Sequence, residues 1–463
     1  MEKELGVEKE LGASYSDSDR QEEIRQGEKS FEAVALAPDA PPAATSDETE
    51  EPTPAPAANG GIPDGGTQAW LQVLGSWVIL VNTWGLVNSF GVFQTYYETD
   101  LLKASSSSNI SWIGSVQASL LMLVGVVSGP LYDAGYFRHL IVAGLVLIVF
   151  GQFMTSLCTQ YWQVLLAQGF CMGIGMGLTF LPSAAILSQY FSRRRALVLG
   201  ISSSGSPLAG IVLPIIFSRL EPVVGFGWAT RVISFVLLAI SAVPVVFMRT
   251  RVPPSARGAR ALVDWTALRD APFVVFVAGN VFAFLVLYVP FFYTQLFAVD
   301  HAIADPGWAP YLVTLLNAGS VVGRIVPNAL ADRLGSLNIM ASCTAASAVL
   351  AFAWLGIHNL GGLIAFALLY GAFSGGVVSL TPSVVVALSP DMGRVGARMG
   401  MSFLATGISI LIGTPIAGAI LGDFSESRWL GTIGYGAAGL LLAALLHVAA
   451  RFVLYRKNGV LRA

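Results

Sequence analysis

The sequence predicts an all-α membrane protein of twelve transmembrane helices in two six-helix bundles. Three observations predict it. The chain of 463 residues is 54% hydrophobic and only 12% charged, about half the charge of an ordinary soluble domain. Its apolar residues fall into runs long enough to cross a bilayer, and the longest polar gap between runs divides them six and six. A soluble globule of this size needs far more polar surface, so the composition argues against a soluble enzyme.

The elements follow in chain order. Residues 1–63 carry a net charge of −10 against +8 for the rest, and they are rich in Glu, Ser, Ala and Pro. Such a segment buries too little apolar surface to fold, and it is expected to be a disordered acidic cytoplasmic tail. Its acidic start lacks the apolar core of a signal peptide, so the first helix must direct its own insertion. A span needs about 20 mostly apolar residues. Runs of that length begin near Ala69, Ile110, Leu140, Trp162, Ala196 and Arg231, then near Ala271, Ala309, Leu337, Gly362, Ala397 and Trp429. The gap from Arg249 to Asp270 holds Arg251, Pro253, Pro254, Arg257 and Arg260. It makes residues 251–270 a cytoplasmic linker between bundles at 64–250 and 271–455, with a short second tail at 456–463.

Orientation follows from the basic residues, which stay on the cytoplasmic side. With both termini inside, sixteen Lys and Arg face inward, from Arg138 to Arg462, against Lys103, Arg219, Arg231 and Arg428 outside. The sequon at Asn109-Ile110-Ser111 then faces outward, as glycosylation of Asn109 requires.

The halves repeat weakly. Leu131-Tyr132-Asp133-Ala134-Gly135 follows the second span and Leu330-Ala331-Asp332-Arg333-Leu334-Gly335 the eighth, with the two Asp 199 residues apart. Related six-helix halves are a signature of secondary transporters. In that setting Asp133, Arg138, Asp332 and Arg333 are expected to form a conformational latch; the alternative is a pair of tight polar turns. The three Cys sit in apolar runs and no ligand spacing for zinc occurs. Gly173-Ile174-Gly175-Met176-Gly177 follows no strand and reads as helix packing, not a nucleotide loop. No metal, cofactor or ATP is expected.

The repeated loops resemble those of the major facilitator superfamily, and two stretches narrow the likeness. Pro63-Asp64-Gly65-Gly66-Thr67-Gln68-Ala69-Trp70 looks like the first signature of its monocarboxylate porter family in fungal form. Tyr190-Phe191-Ser192-Arg193-Arg194-Arg195, running on to Gly200, looks like the second. On physical grounds Asp64 is expected to cap the first helix and complement its dipole, and the arginine run to meet anionic headgroups.

Charges inside spans are costly and mark function. Arg324 lies eight residues before Asp332, about 12 Å along the eighth helix. The resemblance implies that it holds a substrate carboxylate, a task for a permanently charged fork of donors. The structural alternative is an Arg that snorkels or bonds carbonyls near Pro327. The carriers of the family pair this Arg with an Asp where this chain has Ser320, and with a Lys where it has Asn88. Proton coupling by that route is therefore in doubt, and no Asp or Glu lies mid-span to replace it. The mid-span His447 reads as a packing residue. Asn82, Trp84 and Asn88 of the first span, Asn280, Tyr288, Tyr293 and Gln295 of the seventh, and Asn317 of the eighth suggest a larger, less charged pathway.

The expected function is alternating-access transport of a small organic molecule, a carboxylate or weak acid such as a fungal secondary metabolite. The expected partners are that substrate and the lipid bilayer, with no nucleic acid, and the protein is expected to work as a monomer in the plasma membrane. A metabolite receptor signalling through the tail is the alternative.

Overall fold

The computed structural model describes residues 64–192, 195–251, 264–389, 394–422 and 424–459. The tail at 1–63, Arg193, Arg194 and the linker stretch 252–263 lie outside them, as do the side chains of Asp133, Arg195 and Asp332. All regular structure among the described residues is helical.

Among the described residues ten helical runs are long and apolar enough to span a membrane. One of them, Leu197–Phe247, is two helices: at Gly225 φ is 76° and ψ 166°, which breaks the path. A further helix, Pro310–Leu334, is too polar to count among the ten because it carries Asn317, Ser320, Arg324 and Asn328. Twelve helices result among the described residues. We number them α1 (Thr67–Leu101), α2 (Ser107–Asp133), α3 (Phe137–Thr155), α4 (Tyr161–Tyr190), α5 (195–224), α6 (226–247), α7 (Ala271–Asp300), α8 (Pro310–Leu334), α9 (Ser336–Trp354), α10 (Leu360–Leu388), α11 (Val395–Leu421) and α12 (Glu426–Asn458). The sixth helix starts earlier than its apolar run suggests. Arg231 sits inside α6, over the Trp228 ring at 5.0 Å and bonded to Ser156 Oγ at 3.1 Å.

Twelve spans put both described chain ends on one side, here the terminal end; the other is the far end. The loop repeat has a backbone counterpart: Gly135 (φ 93°) and Gly335 (φ 92°) turn the chain into α3 and α9 with the same positive φ, which glycine adopts without steric cost. Large apolar side chains such as Val146, Phe150, Leu445 and Val448 lie exposed on the outside of the bundle, the surface a bilayer covers.

Small residues set the packing distances. A Cβ added to Gly371 of α10 would lie 1.9 Å from Leu316 O of α8, and one at Gly413 of α11 1.7 Å from Leu285 O of α7. Only glycine permits these approaches. Between the halves, α2 runs against α11 and α5 against α8, so the seam is a four-helix contact with α1 and α7 completing it.

Candidate substrate site at the seam of the two halves

The helices that meet at the seam are broken where they meet. In α1 the segment Val81–Gly85 makes a π turn carrying Trp84, a distortion frequent at functional sites. In α7 the helix is interrupted at Leu287 and Tyr288, ahead of Pro290, and Tyr370 Oη bonds the Leu287 carbonyl at 2.9 Å. The two breaks face each other. Trp84 and Tyr288 stack across the seam, centroids 6.0 Å apart and planes 11° from parallel, and Phe180 of α4 meets the Trp84 edge at 6.1 Å.

Arg324 enters this seam from α8 and is 3% exposed. Pro207 has no N–H to offer the Ser203 carbonyl four residues earlier, and Arg324 Nη1 donates to that carbonyl at 3.2 Å. Its Nε has no protein partner, and among the described residues no carboxylate pairs with it. The Tyr288 hydroxyl is likewise buried and without a protein partner. Two turns up α8, Asn317 Nδ2 bonds Val313 O at 2.9 Å and reaches Asn88 O of α1 at 3.5 Å, leaving Asn317 Oδ1 and Asn88 Nδ2 without partners. Buried polar groups are ordinarily satisfied. Here Arg324, Tyr288, Asn317 and Asn88 hold unspent hydrogen-bonding capacity beside a stacked aromatic pair.

Other expected site residues lie elsewhere. Asn82 donates to Ser241 Oγ of α6 at 2.7 Å, inside the first half. Ser320 packs its Oγ toward Gly375 of α10, inside the second half, because α8 and α10 interlock through small residues. Asn280 is fully buried with both amide atoms unpartnered, one residue from Gly279, which abuts the His447 ring. His447 bonds Thr344 at 3.0 Å. Tyr293 belongs to the far end, where its hydroxyl contacts Ser111 Oγ of α2 and reaches Thr414 O at 3.4 Å. There Ser115 also meets Thr414, and Ser108 bonds Pro415 O at 2.9 Å. These hydrogen bonds close the far end between the halves. Beside them a cavity of about 570 Å³ lies between α5 and α8, lined by Ser218, Arg219, Trp308, Tyr311 and Thr314 among others.

The two signature stretches touch each other. Asp64 does not cap α1, whose N-cap is Gly66 without a side-chain bond. Its Oδ1 accepts from Ser192 N at 2.5 Å and its own N–H donates to Tyr190 O at 3.1 Å. Trp70 meets Phe191 edge-on at 5.6 Å, and Tyr190 Oη bonds Arg249 O at 2.7 Å. The motifs thereby tie the terminal ends of α1, α4 and α6 together. Gly200 of α5 passes the Arg324 carbonyl. Arg193 and Arg194 lie outside the described residues.

Of the latch expected at the loops, Arg138 and Arg333 are exposed, and the side chains of Asp133 and Asp332 lie outside the described residues. An ion cluster that sequence reading missed sits at the terminal end. Arg398 of α11, 2% exposed, bonds Asp264 at 3.1 Å, Asp270 at 2.7 Å and Leu388 O at 2.9 Å. Lys457 reaches Asp270 at 2.9 Å. Hydrogen bonds from Thr266, then from Arg398, hold the Asp264 carboxyl below its usual range. Burial pushes Asp270 up, but the bonds from Arg398 and Lys457 outweigh it and leave Asp270 low as well.

Residues 67–341 match the model of the Major Facilitator Superfamily. The chain belongs to the major facilitator superfamily. This superfamily member is similar to the MFS-type transporter dbaD of Emericella nidulans, 45% identical over 83% of this chain and 86% of that protein. It is also similar to the Aspyridones efflux protein apdF of the same organism, 35% identical over 86% of the chain and 80% of that protein. The MFS-type transporter pynF of Aspergillus niger is 36% identical over 84% and 90%. The chain is thus a multi-pass membrane transporter and not an enzyme.

Proposed function

We propose that this transporter exports a small organic acid, of the secondary-metabolite class, by alternating exposure of the seam between its two halves. One observation carries the proposal. A buried Arg324 without a carboxylate partner lies beside the Trp84–Tyr288 stack and the unpartnered polar atoms of Asn88 and Asn317. A cation that keeps an open donor inside a low-dielectric seam favours an anionic ligand, and the aromatic pair offers a flat apolar face. The name of the relative apdF, Aspyridones efflux protein, supports export as the direction.

The carrier is taken to sit in the plasma membrane with the terminal end cytoplasmic, the monocarboxylate porter family being its subgroup. Asn109, exposed in the first turn of α2, then faces outside as a glycosylation acceptor. Flux of a labelled organic-acid panel in proteoliposomes, with and without a pH gradient, tests the reading. Saturable flux of at least one acid, competed by its analogues, is expected. Binding with no flux of any compound would favour a receptor instead.

A further inference from the structure

The far-end seal contains one carboxyl group that the substrate site does not use. Glu98 stands in the last turn of α1, within the π turn Tyr97–Leu101. Its Oε1 accepts from Ser107 Oγ at 2.8 Å and from Gln94 Nε2. Gln94 Nε2 also reaches Ser111 Oγ at 3.3 Å, and Ser111 contacts the Tyr293 hydroxyl of α7 across the seam. Glu98 is therefore three hydrogen bonds from Tyr293 in the other half.

The cluster is short of donors. Glu98 Oε2 and Gln94 Oε1 are both buried and neither has a protein partner. Both are acceptors while Glu98 is ionised, and a single proton on the carboxyl converts one of them to a donor. Among the described residues no cation pairs with the carboxylate. α2 presents Ser107 and Ser111, neither ionisable, and α7 presents Tyr293. Nearby on α11 stand Thr414 and Gly418, while Arg398 lies at the opposite end. On its own segment Asp100 pairs with Lys103 at 3.9 Å. His301 sits in the second half, 3.8 Å from Asp300 and 3.5 Å from Glu426. Burying an unpaired carboxylate costs several kcal/mol, so the sealed state favours the neutral acid.

We propose that Glu98 is a proton-binding site that controls the far-end seal: it holds a proton while the seal is shut and returns it to the far-side solution when the seal opens. The proton comes from and goes back to that solution, so the site regulates opening without itself moving charge across the membrane. It rests on the alternating-access reading. Proton linkage allows the ratio of open to shut molecules to rise by up to about tenfold per pH unit over the range where the two states differ in charge.

The test is a pulsed electron–electron distance measurement on purified protein in lipid nanodiscs. Spin labels are placed at Ala104→Cys and Ser427→Cys, exposed far-end positions in the two halves, after replacement of Cys158, Cys171 and Cys343 with Ala. Between pH 5 and 8 the long-distance population should grow. Glu98→Gln, a neutral isostere, should hold the short distance at every pH, while Glu98→Asp should retain the rise. The variants keep His301, so a shared response would point there. A Glu98→Gln protein that follows the unmodified profile, a pH-independent distance in the parent, or a shift driven by exchanging sodium for choline at constant pH would each overturn the proposal. A parent that opens with pH yet carries no solute would support the proton site and defeat the transport reading.

Discussion

Replacing Arg324 with glutamine separates a substrate contact from a structural one. In the sealed structure the guanidinium makes one bond to the protein outside its own helix, Nη1 to Ser203 O at 3.2 Å, and leaves Nε unpartnered. Losing that charged bond costs about 1.5–3 kcal/mol. Relief of the burial cost of an unpaired cation is of similar size and opposite sign, so thermal stability should move by less than about 1 kcal/mol. Loss of a desolvated charge pair with a carboxylate ligand costs more, about 2–4 kcal/mol, or roughly 30- to 700-fold in half-saturation. Arg324→Lys keeps the charge but not the fork and should fall between. The assay is concentration-dependent uptake into proteoliposomes, with protein content and melting temperature measured on the same preparation. An Arg324→Gln protein that transports with parental half-saturation, or one that loses transport only because it unfolds, refutes the assignment.

Two further outcomes follow from the geometry. Gly413→Ala should destabilise the second half by about 1–3 kcal/mol or more, because its Cβ would stand 1.7 Å from the Leu285 carbonyl; a fluorescence-detected melt in detergent reads the loss. Arg398→Met strips Asp264 and Asp270 of their buried partner and should cost about 3 kcal/mol, the low end for such a pair since Lys457 and Thr266 remain. Both carboxyls sit below their ordinary value of 3.8. Their contribution is therefore complete above that value and is lost as pH falls through the lower, folded one. The stability gap between parent and variant should be constant from about pH 5 to 8 and should close in stronger acid.

What the sequence made legible was whatever depends on local runs. Apolar stretches counted the helices correctly, and the polar α8 was found because Arg324 and Asn317 still sit in a run long enough to span. The start of α6 was misplaced, since the left-handed φ of Gly225 that breaks the path is not visible in composition. Arg324 stood out as a charge inside a span. Its acceptor was within reach too, because Pro207 advertises an orphaned carbonyl at Ser203. Asn82 and Ser320 pack within their own halves, because the face a side chain presents depends on helix rotation, here set by Ser241 and by the glycines of α10. Asp64 was assigned to its own helix when its partner lies 128 residues away. The Arg398 cluster and Glu98 were missed for the same reason: Asp264 is 134 residues from Arg398, and Glu98 lies near a span's end, where a carboxylate ordinarily meets water.

A disulfide across the far-end seal tests alternating access most directly. Ser115 of α2 and Thr414 of α11 have their side-chain oxygens in contact, so Ser115→Cys with Thr414→Cys, in a protein lacking Cys158, Cys171 and Cys343, places two thiols face to face. Oxidation should abolish flux and reduction should restore it, with each single variant indifferent to both treatments. Unchanged flux through a protein shown to be fully cross-linked would contradict opening and closing at this seam.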